Sequence, residues 1–257
     1  MKDIIFLIVL FIANVIQAIT GFAGTVLAMP ASMFLLGVDN AKVVLNVMAL
    51  LSGLLIAISS YKRINKKELL KICVFMLIGM AVGILLCKVI SSNSLLIIYG
   101  IIIIVIAGKN LLFHKEHKLP QAFQIAILII AGIIHGMFVS GGALATQVLK
   151  DKEEFRATVA PVWIVLNSIL LVSQIQAHAF NYDNIKLILL SIIPLIVATW
   201  IGKKLLKRVS QKVFLNLTYI LLIISGISLI VQRRYCGYYN KNDNKASRTF
   251  RYEISCW

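Results

Sequence analysis

From Ile4 to Val38 the chain runs for 35 residues without an Asp, Glu, Lys or Arg. An uncharged stretch of that length is solvated comfortably only by lipid, and a helix needs about 20 predominantly apolar residues to cross the hydrocarbon. Thirty-five is too many for one crossing and short for two full ones. Glycine and small polar residues interrupt it near the middle, at Gly21, Gly24 and Thr25, with Pro30 following. The segment 121–149 repeats the design and is interrupted at Gly136, Ser140, Gly141 and Gly142. Both read as broken helices or re-entrant hairpins. Irregular backbone is tolerated at membrane depth only where protein or a wet cavity surrounds it.

Six further apolar stretches, at 41–60, 69–90, 95–107, 157–177, 185–201 and 213–231, read as ordinary crossings. With 60% hydrophobic residues overall, the chain is expected to be an all-α, polytopic membrane protein. A formal charge of +16 would point to nucleic acid in a soluble protein. Here the Lys and Arg residues fall in loops, at segment ends or in the tail, which excludes nucleic acid as a partner and makes the charge a topology signal. It also attracts anionic lipid headgroups, so membrane lipid is an expected partner. Cys73 and Cys87 read as small apolar packing residues, while Cys236 and Cys256 lie in the tail. The apolar run after Met1-Lys2-Asp3 resembles a signal peptide without a small-residue cleavage site and reads as retained.

The two halves align. At an offset of 115 residues, Gly21-Phe22-Ala23-Gly24-Thr25 meets Gly136-Met137-Phe138-Val139-Ser140, and Val44, Val47, Leu51 and Leu55 meet Val159, Val162, Leu166 and Leu170. At 119, Gly83, Lys88 and Ser91 meet Gly202, Lys207 and Ser210. The loop charges are opposed: basic 61–67 faces a counterpart, 178–184, with no Lys or Arg, whereas bland 91–94 faces basic 203–212. Basic loops stay cytoplasmic, so the halves are expected to cross in opposite senses, as inverted repeats of a secondary transporter do. The expected units are a first repeat at 1–113, a second at 114–231 and a polar, disordered tail at 232–257. If each broken segment returns to its starting side or crosses twice, the loops at 61–71, 109–118, 150–156 and 203–212 share one face. They carry 16 of the 26 Lys and Arg, which puts both termini outside.

A broken helix leaves free N–H groups at a half-helix N-terminus, where partial positive charge accumulates. Gly21, Gly24, Thr25 and Pro30, with Gly136, Ser140, Gly141 and Gly142, are therefore candidate substrate-binding residues. The alternative for the glycines is close helix packing, and for Pro30 a simple kink. Asn46, aligned with Pro161, and nearby Asn167 are candidate amides. His135 is the one titratable group at a break, suited to carrying a proton, contacting an anion, or packing neutral between helices. Gln17, Asn14, Thr20, Ser52, Thr146, Gln147, Ser168 and Gln174 are further polar groups of the spans, most suited to bridging helices. All ten Asp and Glu lie outside the apolar spans, which disfavours a cation carrier or a carboxylate proton relay and favours an anionic or neutral substrate. No metal-ligand run, phosphate-cradling loop or catalytic constellation occurs in the sequence. Neither an enzyme, a cofactor nor a bound metal is expected.

These same residues carry a family resemblance. Gly21-Phe22-Ala23-Gly24 with Pro30, Gly136 through Gly141-Gly142, Arg156-Ala157-Thr158, the Asn167-Ser168 pair and the stretches led by Gly83 and Gly202 resemble the sulfite exporter TauE/SafE family over roughly 4–231. Ala23, Thr25 and Val139 stand where that pattern would have glycine. The resemblance implies a multi-pass transporter of the bacterial cytoplasmic membrane that moves small sulfur-containing anions such as sulfite or sulfoacetate. Its expected partners are the small anionic substrate and lipid, and a homo-oligomer is compatible with the sequence. The other reading is a non-transporting assembly partner or subunit of a larger complex.

Overall fold

The computed structural model describes residues 2–86, 101, 104–105, 107–108, 120–139, 141, 152–210 and scattered positions from 213 to 231. Seven α-helices occupy the continuous parts: α1 Lys2–Thr20, α2 Ala23–Leu36, α3 Val38–Ser60, α4 Lys66–Leu86, α5 Gln121–Phe138, α6 Lys152–Gln176 and α7 Tyr182–Arg208. A short 3-10 turn, Tyr61–Arg63, links α3 to α4. No strand occurs among the described residues. Five helices (α1, α3, α4, α6 and α7) are long and apolar enough to cross a membrane, and α5 is a shorter apolar helix. Large apolar side chains such as Ile4, Ile58, Leu70, Leu189 and Ile193 are exposed on their outer faces, as lipid contact requires. The expected spans at 95–107 and 213–231 are described only in part, at positions that are helical, and the tail lies outside the described residues.

The first uncharged stretch reverses. A Cβ built on Gly24 would meet Gln17 Cβ at 2.6 Å and the Ala13 carbonyl at 2.8 Å, so α2 runs back along α1. The chain regains the starting face by α3, where Asn40 accepts from Asn181 at 2.9 Å at the N-terminus of α7. Asp3 of α1 pairs with Lys186 of α7 on that same face. Asn181 also closes a capping box with Asn184, which sets the start of α7.

Helix directions follow from the contacts. α1 and α7 are parallel: Asp3 meets Lys186 near their starts, and Gly202 rests on Val15 and Ala18 near their ends. α4 and α5 are also parallel, with Lys71 donating to Gln124 at 2.8 Å and Gly83 lying against Ile133. α3 and α6 are antiparallel, since Ser60 at the end of α3 meets Arg156 near the start of α6. The α4–α5 contact is built on two glycine pairs, Gly79 with Gly83 and Gly132 with Gly136, whose missing Cβ atoms let backbone touch backbone. Any side chain at Gly79, Gly83 or Gly132 would overlap a carbonyl of the facing helix.

One face carries most of the charge. Lys62, Arg63, Glu153, Arg156, Lys203 and Lys207 surround a single cavity, which brings together the basic loops expected to share a side. The loop at 109–118 lies outside the described residues. Arg156 departs from the sequence expectation: it reads as a basic residue at a segment end, yet it is only 2% exposed. The reason is that α6 begins beneath the end of α3, so its second turn is already covered by α1 and α3.

Candidate functional site

Thr20 organises the first break. Its hydroxyl donates to the Ile16 carbonyl at 2.8 Å and accepts from the Ala23 N–H at 3.1 Å, ending α1 and capping α2 together. Gly21, at φ 87°, makes the reversal in a region where a Cβ is disfavoured. The Gly24 N–H donates to Gln17 Oε1 at 2.7 Å. The N–H groups that sequence alone offers as anion ligands are thus held by Thr20 and Gln17 in this conformation.

The second break uses a stranger residue. Val139 ends α5 at φ 55°, donating its N–H to the His135 carbonyl at 2.8 Å. A β-branched side chain in the left-handed region is strained, and here its near-complete burial holds it in place. Gly141 then turns back over α5 against Ala131 and His135. Ser140 and Gly142 lie outside the described residues.

α6 joins the two breaks. Trp163 donates its indole N–H to the Gly21 carbonyl at 2.7 Å and stacks on His135, with centroids 5.3 Å apart and planes 20° apart. His135 Nε2 is 3.1 Å from Asn167 Oδ1. An amide oxygen only accepts, so Nε2 carries the proton and Nδ1 is left with a buried lone pair and no partner among the described residues. Asn46 donates to the Asn167 carbonyl at 3.2 Å and to Gln174 Oε1 at 2.9 Å, while its own Oδ1 is also without a described partner. Orphaned buried polar atoms of this kind are uncommon and call for a water or a ligand.

Gln17, Phe22, Thr25, Ala49, His135, Val139, Trp163 and Asn167 enclose a cavity of about 10 Å³ at the centre of these contacts. That is room for about one water. Of the candidates, Thr25, His135 and Asn167 line it; Gly21, Gly24 and Asn46 hold the residues that do. Gly136 instead packs on Met80 of α4, and Gly141 on α5. Pro30 sits inside α2, beyond the first turn. Trp163 is the residue that sequence reasoning misses. Its signal is a lone tryptophan deep in a span, away from the interfaces where tryptophan usually lies.

The model of the sulfite exporter TauE/SafE family matches residues 5–229, which takes in α1 from Ile5 onward and all of α2 to α7. This chain belongs to the TauE/SafE family. It is accordingly a multi-pass membrane protein of a transporter family, and the reversed segments and the polar centre belong to the matched region. No curated protein and no solved structure matches it.

Proposed function

We propose that this TauE/SafE protein is a secondary transporter that moves a small sulfur-containing oxyanion, such as sulfite or sulfoacetate, across the bacterial cytoplasmic membrane. One observation carries this reading: both breaks contribute to one small, polar cavity with no acidic residue among its described lining groups. His135, Asn167 and Thr25 supply hydrogen-bonding groups there, and the Gly24 N–H becomes available if Gln17 swings away. A cavity with room for about one water is too small for such an anion, so passage requires the halves to part first on one side and then on the other.

Inverted repeats supply a hinge for that motion, and the packing supports them. Exchanging the halves turns the α4–α5 contact into α7–α1, and α3–α6 into itself. Gly83 lies on Ile133 and its repeat partner Gly202 lies on Ala18, which is itself 115 residues before Ile133. Equivalent helices run oppositely: α3 ends, and α6 begins, on the basic face. An inside-negative membrane potential drives an anion outward by about 2.3 kcal/mol per charge at 100 mV.

The test is flux in proteoliposomes. Transport currents are read while sulfite, sulfate, sulfoacetate, chloride and small organic cations are applied in turn. A saturable current with a sulfur oxyanion, lost in a folded Gly141→Leu variant, supports the reading. Equal currents for the organic cations would sink it.

A further inference from the structure

A second cavity is larger than the central one. It lies on the basic face, has a volume of about 670 Å³, and presents Lys62, Arg63, Arg156, Lys203 and Lys207 against one carboxylate, Glu153. Glu153 is paired with Arg63 and also acts on Arg156, and five cations against this one described carboxylate leave the field of the cavity positive. At its inner end Arg156 is 2% exposed, with Nε donating to the Ala18 carbonyl and Nη1 to Ser60 Oγ at 2.9 Å. Its Nη2 has no partner among the described residues. Burying a guanidinium with one fork unsatisfied is costly, and an anion is the partner that offsets the cost best.

We propose that this cavity is a second anion site, a loading vestibule in which Arg156 Nη2 and the Lys203 and Lys207 ammonium groups hold a soluble oxyanion before it reaches the central cavity. This rests on the transport reading above. α6 connects the two sites: Arg156, Trp163 and Asn167 follow at spacings of seven and four residues and so lie along one helix face. At 1.5 Å per residue, the vestibule cation stands about 10 Å along the helix from the indole that ties down Gly21. Arg156 also holds the Ala18 carbonyl, and its Cα is 3.1 Å from where a Gly21 Cβ would lie. An anion drawn to Nη2 is therefore bound against the broken end of α1.

The experiment is calorimetric titration of the detergent-purified full chain with sulfite and with sulfate, at two ionic strengths, alongside flux. Arg156→Gln is expected to lose about tenfold or more in affinity, the range for a hydrogen bond to a charged group. Because Arg156 also supports α1, the double variant Lys203→Gln/Lys207→Gln is read in parallel; both lysines are exposed. It is expected to bind several-fold more weakly and to lose most of the salt dependence. Unchanged affinity in the folded double variant overturns the vestibule, and if flux persists unaltered the transport reading stands without it. Anion binding that depends on Arg156 but no flux of any anion upholds the anion site, removes the transport reading and with it overturns the loading role. Loss of sulfate binding on adding phosphatidylglycerol to the micelles would identify a lipid headgroup site and overturn the loading role.

Discussion

Gly24→Ala is the smallest change that separates a helix reversal built on close contact from one that merely tolerates glycine. The new Cβ would lie 2.6 Å from Gln17 Cβ and 2.8 Å from the Ala13 carbonyl, about 0.8 and 0.6 Å inside the 3.4 Å at which ordinary contact begins. Neither obstacle is the loose end of a side chain, so α1 and α2 must part by most of an ångström. Overpacking of this kind costs about 1–3 kcal/mol. The separation also stretches the 2.7 Å bond from the Gly24 N–H to Gln17, worth about 1 kcal/mol. Against this, alanine gains at most about 1 kcal/mol of helix propensity, and less in a first turn. The net expectation is a loss of about 1–3 kcal/mol. Gly108→Ala is the control, because a Cβ there meets nothing within 4 Å; it should be neutral or up to about 1 kcal/mol stabilising. Both are measured by unfolding in mixed micelles with increasing denaturing detergent. Equal stability of the two variants would refute the contact argument, whatever the flux.

Three further outcomes are expected. Trp163→Phe keeps an aromatic face for His135 but strands the Gly21 carbonyl, so it should cost about 1–3 kcal/mol and reduce anion flux; wild-type stability would show that the indole bond is immaterial. Asn181→Ala removes the cap of α7 and a bond to Asn40, and should lower stability by about 0.5–2 kcal/mol in the same unfolding assay, with Asn181→Ser recovering part of it. Glu153→Gln removes the one carboxylate among the described residues lining the vestibule; since its partner Arg63 is largely exposed, loss of that pair should change stability by less than about 1 kcal/mol. Sulfate affinity should instead rise a few-fold by calorimetry, and a fall would contradict the assigned field.

Much of this was legible in the chain, because crossing a bilayer is a local demand. Uncharged length placed the helices, glycine placed the reversals at Gly21 and around Val139, and clustered lysine placed the charged face. His135 and Asn167 stood out as polar groups in apolar surroundings, and they meet. What one-dimensional reading missed depends on which helix faces touch. Trp163 looked like one apolar residue among many until α6 laid it across both breaks. Arg156 looked like a loop cation until the end of α3 covered it. The free N–H groups inferred at the first break are taken by Thr20, through a local cap, and by Gln17, whose side chain reaches Gly24 only once α2 has folded back.

The sequence alone determined that this protein lies in the membrane, where it breaks, and which loops are basic, because the cost of placing charge or open backbone in hydrocarbon is counted residue by residue. Tertiary structure decided that the breaks meet at a small polar cavity and that an arginine is buried at the inner end of a basic one. Those facts depend on glycine pairs such as Gly83 on Ile133 and Gly202 on Ala18, where the absence of a side chain selects the partner, and an absence acquires meaning only when the facing helix is in place.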